Sequence, residues 1–106
     1  MINLYYRNYL LGCLDYKDGY YIYNSSKDES FVLNNFVGTI GYNLANSNNK
    51  KSKTLFSFFK KEFLNKINKR PDILKKIGEN YKFDYEILEK FSKLSFDKFN
   101  FWLSSN

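Results

Sequence analysis

The sequence predicts an α+β fold: an N-terminal antiparallel β-meander (a curled sheet or small barrel) followed by about three helices and a short C-terminal segment. β-branched and aromatic runs around an Asp-Gly pair predict the strands, and apolar residues at helical spacing after Thr54 predict the helices. At 106 residues the chain is long enough for one domain, over 1–106. We expect a strand-rich half over 1–45, a basic polar loop over 46–53 and a helix-rich half over 54–106.

The N-terminal half contains the strand pattern. Three strands are predicted, over 2–7, 9–16 and 20–23. Asn8 is expected in the first turn. The second turn is expected at Asp18-Gly19, because an Asp-Gly pair tolerates the positive φ angles of a tight hairpin. Two short apolar pieces, 31–33 and 36–42, follow a polar stretch and are expected to be extended.

The C-terminal half contains the helical pattern, with Thr54 as the expected N-cap of the first helix. The apolar positions of that helix are Leu55, Phe58, Phe59, Phe63 and Ile67. Pro71 cannot continue this helix and suits the first turn of a second one, with Asp72 near its positive end. Asp84 is expected to cap a third helix. The segment 95–103 is either a last strand or a short helix.

The composition favours a binding protein over an enzyme. The chain has no His and one Cys, Cys13, which excludes a zinc cluster, a disulfide framework and catalysis by an imidazole base. No arrangement of carboxylates, Lys, Tyr or Ser resembles a catalytic site, so we expect no cofactor and no metal. Its 10 Tyr, 11 Phe and 1 Trp are enough to form a sizeable core.

The expected location is the cytoplasm, because a free cysteine suits a reducing compartment. No run approaches about 18 apolar residues, so no membrane partner is expected. The sequence Leu10-Leu11-Gly12-Cys13 looks like a lipoprotein cleavage box, yet Arg7 and polar residues stand where a signal peptide has its apolar stretch. A strand is therefore the expected structure here.

Positive charge is concentrated in the second half of the chain. Of the total charge of +6, residues 1–49 carry −1 and residues 50–106 carry +7, most densely over 50–76. A basic surface attracts acidic partners. The alternative function is therefore that of a small nucleic-acid-binding protein, or of a phage- or defence-related inhibitor, that uses the basic region 50–76 to bind its partner. Only 2 of the 17 basic residues are Arg, and 15 Lys with 14 Asn also fit the codon bias of an AT-rich genome, so the role of this charge stays open.

Five residues are candidates for partner binding. Trp102 is the sole Trp and is flanked by Phe101, and Trp is enriched at the energetic centres of interfaces. The alternative for this pair is a core role that anchors the terminal segment. Lys50, Lys51 and Lys53 lie in the polar loop, which is either a solvated connection or a basic contact loop.

Tyrosines on neighbouring predicted strands form a further candidate surface: Tyr5, Tyr6, Tyr20, Tyr21 and Tyr23. Because strand side chains alternate, Tyr21 and Tyr23 share one face of the sheet and Tyr20 lies on the other. An exposed tyrosine face with nearby Lys could stack nucleic acid bases. A tyrosine face packed under helices would instead belong to the core, and we expect that outcome for these residues.

Two groups of segments resemble the N-terminal subdomain of HipA-type serine/threonine kinases. The first is a strand with Leu11-Gly12-Cys13-Leu14, a hairpin, and an aromatic strand with Tyr21-Ile22-Tyr23. The second is Leu55-Phe56-Ser57-Phe58-Phe59 opening a helix, a helix after Pro71 with Ile73 and Ile77, and Tyr85-Glu86-Ile87-Leu88 before the last segment. Two positions depart from the family pattern. Asn65 follows Phe63-Leu64 where the family has Pro, with no Pro until Pro71, and Phe99-Asn100 stands where the family has Gly-Ala.

The resemblance implies a free-standing subdomain rather than a kinase. The family's catalytic machinery lies beyond this subdomain, and this chain has no Gly-rich phosphate loop and no catalytic Asp motif. Such free subdomains occur in three-component toxin–antitoxin systems, where a small HipS-like protein binds and restrains a separate HipT-like kinase. The resemblance thus implies a bacterial, non-catalytic antitoxin whose partner is a HipA/HipT-like kinase, with nucleic acid as an alternative partner or one reached through a complex.

Overall fold

The computed structural model describes residues 1–27, 35, 50–77, 83–94 and 101–105. In these residues, five antiparallel strands form one sheet in the order β4-β3-β2-β1-β5. The strands are β1 (Ile2–Tyr6), β2 (Tyr9–Lys17), β3 (Tyr20–Ser25), β4 (Lys50–Ser52) and β5 (Phe101–Ser105). The first three form the predicted meander, and β5 pairs with β1, so the two ends of the chain lie side by side. The sheet is open, with β4 and β5 at its edges.

Both hairpin turns use the left-handed region of the backbone. In the β2–β3 turn, Asp18 has φ 55° and Gly19 has φ 83°. Two positive φ angles match the right-handed twist of the flanking strands, which confirms the predicted Asp-Gly turn. Asn8 lies in the β1–β2 turn as expected, but the left-handed residue there is Arg7, with φ 52°.

Three helices follow the sheet in the described residues. The first, α1, is continuous and has an α-helical start (Ser57–Phe59), a π-helical middle (Lys60–Leu64) and an α-helical end (Asn65–Asn68). The others are α2 (Pro71–Ile77) and α3 (Asp84–Ser92). Pro71 opens α2 with Asp72 in the first turn, as predicted. The wider π turn lets Phe63 and Leu64 both be buried.

The predicted helix caps are wrong. The N-cap of α1 is Phe56, while the backbone N–H of Thr54 donates to Ser52 Oγ at 3.2 Å. The N-cap of α3 is Phe83, so Asp84 lies inside the first turn. Its negative charge there still stabilises the helix through the helix dipole.

The helices pack on one face of the sheet, which we call the first face. The sheet contributes buried side chains from Ile2, Leu4, Tyr6, Leu11, Leu14, Tyr21, Tyr23 and Leu103. The rest of the core is Leu55, Phe58, Phe59, Phe63, Leu64, Ile67, Ile73, Ile77 and Leu88. Aromatic rings join the two layers: Tyr23 meets Phe59 edge-on with ring centroids 6.0 Å apart. The expected place of Tyr21 and Tyr23 in the core is therefore confirmed.

The predicted loop over 46–53 is wrong for Lys50–Ser52, which forms β4 along the outer edge of β3. This short Lys-rich strand is held by backbone pairing rather than by apolar burial, so no hydrophobic pattern marks it. The open choice for 95–103 is decided for its last residues, because β5 begins at Phe101. The predicted pieces 31–33 and 36–42, the residues 46–49 and the residues 95–100 lie outside the described residues.

Candidate partner-binding surface

The face of the sheet opposite the helices carries the candidate surface, and we call it the second face. Strand register assigns side chains to it: Tyr5 pairs with both Leu10 and Trp102, and Asp15 pairs with Ile22, which pairs in turn with Lys51. Its described members are Asn3, Tyr5, Leu10, Cys13, Asp15, Lys17, Tyr20, Ile22, Asn24, Lys51, Trp102 and Ser104. The aromatic and aliphatic members are half-buried, and Lys17, Asn24 and Lys51 are exposed.

An aromatic pair forms one end of the second face. The rings of Tyr5 and Trp102 stack with centroids 4.2 Å apart and planes within 8°. The indole Nε1–H of Trp102 donates a 2.7 Å hydrogen bond to the carbonyl of Arg7 in the β1–β2 turn. Stacking and this hydrogen bond hold the Trp102 ring in one orientation on an edge strand.

A basic edge forms the other end of the second face. Lys51 Nζ lies 4.3 Å from the centroid of the Tyr20 ring, and Lys53 Nζ lies 6.0 Å from it. Both distances suit cation–π attraction. Four strand spacings of about 4.8 Å separate β4 from β5, so across the strands alone this basic edge lies about 19 Å from Trp102.

Polar groups lie on β1 and β2, between the two ends of the second face. The Cys13 thiol donates to Asn3 Oδ1 at 3.1 Å. Burial, and then the nearby Asp15 carboxylate, raise the pKa of the Cys13 thiol above its ordinary value. The N-terminal ammonium of Met1 forms a 3.5 Å ion pair with Asp15. The thiol is therefore neutral at physiological pH, and the middle of the surface offers hydrogen-bonding groups rather than a nucleophile.

The structure separates the predicted candidates into two groups. Trp102 and Lys51 lie on the second face, at opposite edges. Phe101 lies on the first face, with its ring 4.7 Å from Phe58 and 5.1 Å from Tyr6, which is the core role that the sequence left open. Lys50 pairs with Tyr23 and so has a first-face register position.

The sequence analysis missed two apolar members of the second face, Leu10 and Ile22, which are half-buried there beside the predicted residues. Tyr5 and Tyr20, which were expected in the core, are also half-buried on this face. Tyr20 lies on the face opposite Tyr21 and Tyr23, as predicted. The same period-two alternation could have assigned Tyr5 and Ile22 to the second face. Assigning Leu10 to it required knowledge of the β-bulge between β1 and β2. That bulge shifts the register between Leu4 and Tyr5, so alternation counted along the sequence does not apply across it.

The described residues contain no group of three or more His, Cys, Asp or Glu side chains placed to hold a metal ion. No helix in the same part of the chain is long and apolar enough to cross a membrane. No protein-family model, curated protein or solved structure matches the chain. The resemblance to HipA-type kinases thus rests on the residues given for it above.

Proposed function

We propose that this chain is a cytoplasmic, non-catalytic protein-binding module, similar to the small antitoxin of a three-component HipA-like system, that binds and inhibits a separate serine/threonine kinase. The observation that carries the proposal is the second face, where Tyr5 and Trp102 form a stacked, hydrogen-bonded pair opposite the helical layer. Docking on this face restrains the kinase without chemistry.

The side chains of the second face suit a protein interface. Stable interfaces have a core rich in Tyr, Trp and other apolar residues and poor in charge, with a polar rim. Tyr5, Leu10 and Trp102 supply such a core at one end of the face. Ile22 adds an apolar contact beside Asp15, and the charged Lys51 lies at the other edge. A ring that is already fixed loses little conformational entropy on binding, which makes Trp102 the expected energetic centre of the interface.

The order of elements supports the choice of partner. The HipA-type subdomain implied by the resemblance runs from strands, through a Phe-Phe helix and two further helices, to a final strand. The described residues of this chain have four strands, then α1 with Phe58 and Phe59, then α2, α3 and β5. Gly12, the other specific position of the resemblance, is buried in the middle of β2.

Affinity capture tests the proposal. The tagged chain is incubated with nuclease-treated lysate of the source organism, washed at low and high salt, and the retained proteins are identified by mass spectrometry. We expect a HipA-like kinase to remain at high salt, because an interface with an apolar core is little screened. Addition of the purified chain should then reduce that kinase's autophosphorylation in proportion to the amount bound.

Three variants make the test specific to the second face. Trp102→Ala removes the expected centre of the interface, and Ile22→Glu replaces an apolar side chain of the face by a second negative charge beside Asp15. Glu86→Ala, at an exposed position of α3, is the control. Circular dichroism establishes that each variant folds. Retention of the kinase by Ile22→Glu at wild-type level, or the absence of any kinase from the wild-type eluate, contradicts the proposal.

A nucleic-acid-binding function is the second candidate, favoured by the placement of Lys51 and Lys53 around the Tyr20 ring. An aromatic ring beside cations can stack a base while the cations contact phosphates. Binding of a labelled single-stranded oligonucleotide is measured against salt concentration, since phosphate contacts give a linear fall of log affinity with log salt. Neutralising Lys50, Lys51 and Lys53 to Gln should abolish such binding; unchanged affinity rejects this candidate.

A further inference from the structure

A pocket of about 360 Å³ lies between β5 and the three helices. Its floor is apolar and buried: Phe63, Ile67, Ile73 and Leu103 are each at most 6% exposed. Half-buried residues, Phe91, Leu94 and Phe101 among them, form its wall. A concavity of this size and composition is in the range that binds a ligand or a partner's side chain.

Cations stand at the rim of this pocket. Lys66 and Arg70 line it together with Glu62, and the two cations are 68% and 58% exposed. Lys66 is paired with Glu62 at 2.9 Å and Arg70 with Asp72 at 2.9 Å, and such exposed pairs are weak enough to be exchanged. The segment 60–77 that carries them has seven basic and two acidic residues, so its charge is +5.

We infer that this pocket takes one large apolar side chain from an acidic segment of a protein partner, whose carboxylates lie against Lys66 and Arg70. The floor residues Phe63, Ile67 and Leu103 carry no polar side-chain atom. A nucleic acid base placed there would lose the hydrogen bonds of its edges, whereas an apolar side chain loses none. The positive rim then selects an acidic sequence on either side of that anchor.

The edge strand β5 links the pocket to the second face, because Phe101 and Leu103 line the pocket while the ring of Trp102, between them in sequence, stacks on Tyr5 on the other face. A partner that covers the Tyr5–Trp102 pair and continues around this edge therefore reaches the pocket. In this respect the inference rests on the proposed function and adds the chemistry of the partner segment. The experiments below separate the two.

Fluorescence anisotropy of a labelled acidic peptide with one central phenylalanine tests the inference on the full chain. One matched peptide has alanine in place of the phenylalanine, and another has every Asp and Glu replaced by Asn and Gln. The alanine peptide should bind about tenfold or more weakly, because burying an aromatic side chain is worth at least one tenfold step in affinity. The peptide without Asp and Glu should also bind about tenfold or more weakly, because it loses its charge contacts with Lys66 and Arg70. Equal binding by the alanine peptide overturns the inference.

Two double variants of the chain separate a specific rim from general attraction. Lys66→Glu with Arg70→Glu changes the rim, while Lys75→Glu with Lys76→Glu makes the same change of charge at exposed positions of α2 that do not line the pocket. We expect the first pair to weaken peptide binding about tenfold, the value of two exposed charge contacts, and the second to weaken it much less. Equal losses overturn the inference.

The pocket and the proposed function can fail separately. If the kinase is captured equally by wild type and by the chain with Lys66→Glu and Arg70→Glu, the pocket inference is wrong and the proposed function stands. If the phenylalanine peptide binds as expected and no kinase is captured, the proposed function is wrong and the pocket inference stands. If dodecanoate, an apolar small-molecule anion, binds and none of the three peptides does, the pocket is a small-ligand site and the inference is overturned.

Discussion

The ring of Tyr23 lies directly over Gly12 on the neighbouring strand. A Cβ atom at position 12 would lie 2.5 Å from Tyr23 Cζ, 2.5 Å from its Oη and 2.5 Å from the carbonyl oxygen of Asn24. Tyr23 itself is fully buried among aromatic rings of α1 and cannot move aside without opening the core. Glycine at position 12 is thus a packing requirement, which gives a physical reason for the most specific strand position of the HipA resemblance.

We expect Gly12→Ala to lower the free energy of unfolding by about 1–3 kcal/mol, the usual cost of forcing extra atoms into a packed core. Gly19→Asn is the matched control, because position 19 has a left-handed φ of 83° and open space where a side chain would stand. Asn tolerates that conformation, so this change should cost much less. Urea unfolding followed by circular dichroism measures both, and equal stability of the two variants refutes the packing argument.

The relation between these two residues shows what the sequence could and could not predict. Local signals were sufficient for the Asp18-Gly19 turn and for the helix that opens at Pro71, because each depends on backbone preferences of adjacent residues. The place of Gly12 under Tyr23 depends on strand register. A register is fixed by which residues oppose one another, and the chain's own order does not reveal this.

The candidate surface was only partly predictable for the same reason. Phe101 and Trp102 are adjacent, and only their membership of a strand sends one to the core and the other to the second face. The sequence left 95–103 open between strand and helix. The pairing of β5 with β1 joins residues nearly a full chain length apart, and β4 pairs through its backbone alone, so neither contact leaves a local pattern.

The Tyr5–Trp102 pair should contribute measurable stability of its own. A double-mutant cycle with Tyr5→Ala and Trp102→Ala should give a coupling free energy of about 0.5–1.5 kcal/mol, the usual value of an aromatic pair beyond its burial. Trp102→Phe keeps an aromatic ring but removes the donor to the Arg7 carbonyl, and should cost about 1 kcal/mol. Circular dichroism is the readout, because the Trp102 variants remove the only Trp of the chain and with it the tryptophan fluorescence signal. Additive single changes contradict this account of the pair.

The buried phenol of Tyr21 and the half-buried phenol of Tyr85 predict a loss of stability at high pH. Burial, followed by the charge of Asp84, raises the pKa of Tyr21 to about 12, and burial followed by the charge of Asp15 raises that of Tyr85 to about 12. In the unfolded chain a tyrosine ionises near about pH 10. Above that pH the unfolded state releases protons that the folded state retains, so the free energy of unfolding falls as pH rises from about 10 to about 12.

The difference between wild type and the Tyr21→Phe/Tyr85→Phe variant isolates this effect from the titration of lysines. The stability of the double variant should fall less steeply than that of wild type over the same alkaline range, and phenolate absorbance should show fewer late-ionising tyrosines. Parallel stability curves for the two proteins are incompatible with the assigned burial of these phenols.

Cys13 should react slowly with alkylating reagents, since only its thiolate is nucleophilic and its pKa is raised by burial and by Asp15. The rate with iodoacetamide at mildly alkaline pH should lie below that of a free cysteine and rise only at higher pH. Asp15→Asn removes a nearby negative charge and frees the N-terminal ammonium of Met1 from its ion pair, and both changes favour the thiolate. The alkylation rate of this variant should therefore exceed that of wild type at the same pH.

Asp18→Asn, which changes a carboxylate in the exposed β2–β3 turn, is the control and should leave the rate unchanged. If the two variants react equally fast, Asp15 does not set the acidity of the thiol, and the electrostatic description of the middle of the second face is wrong.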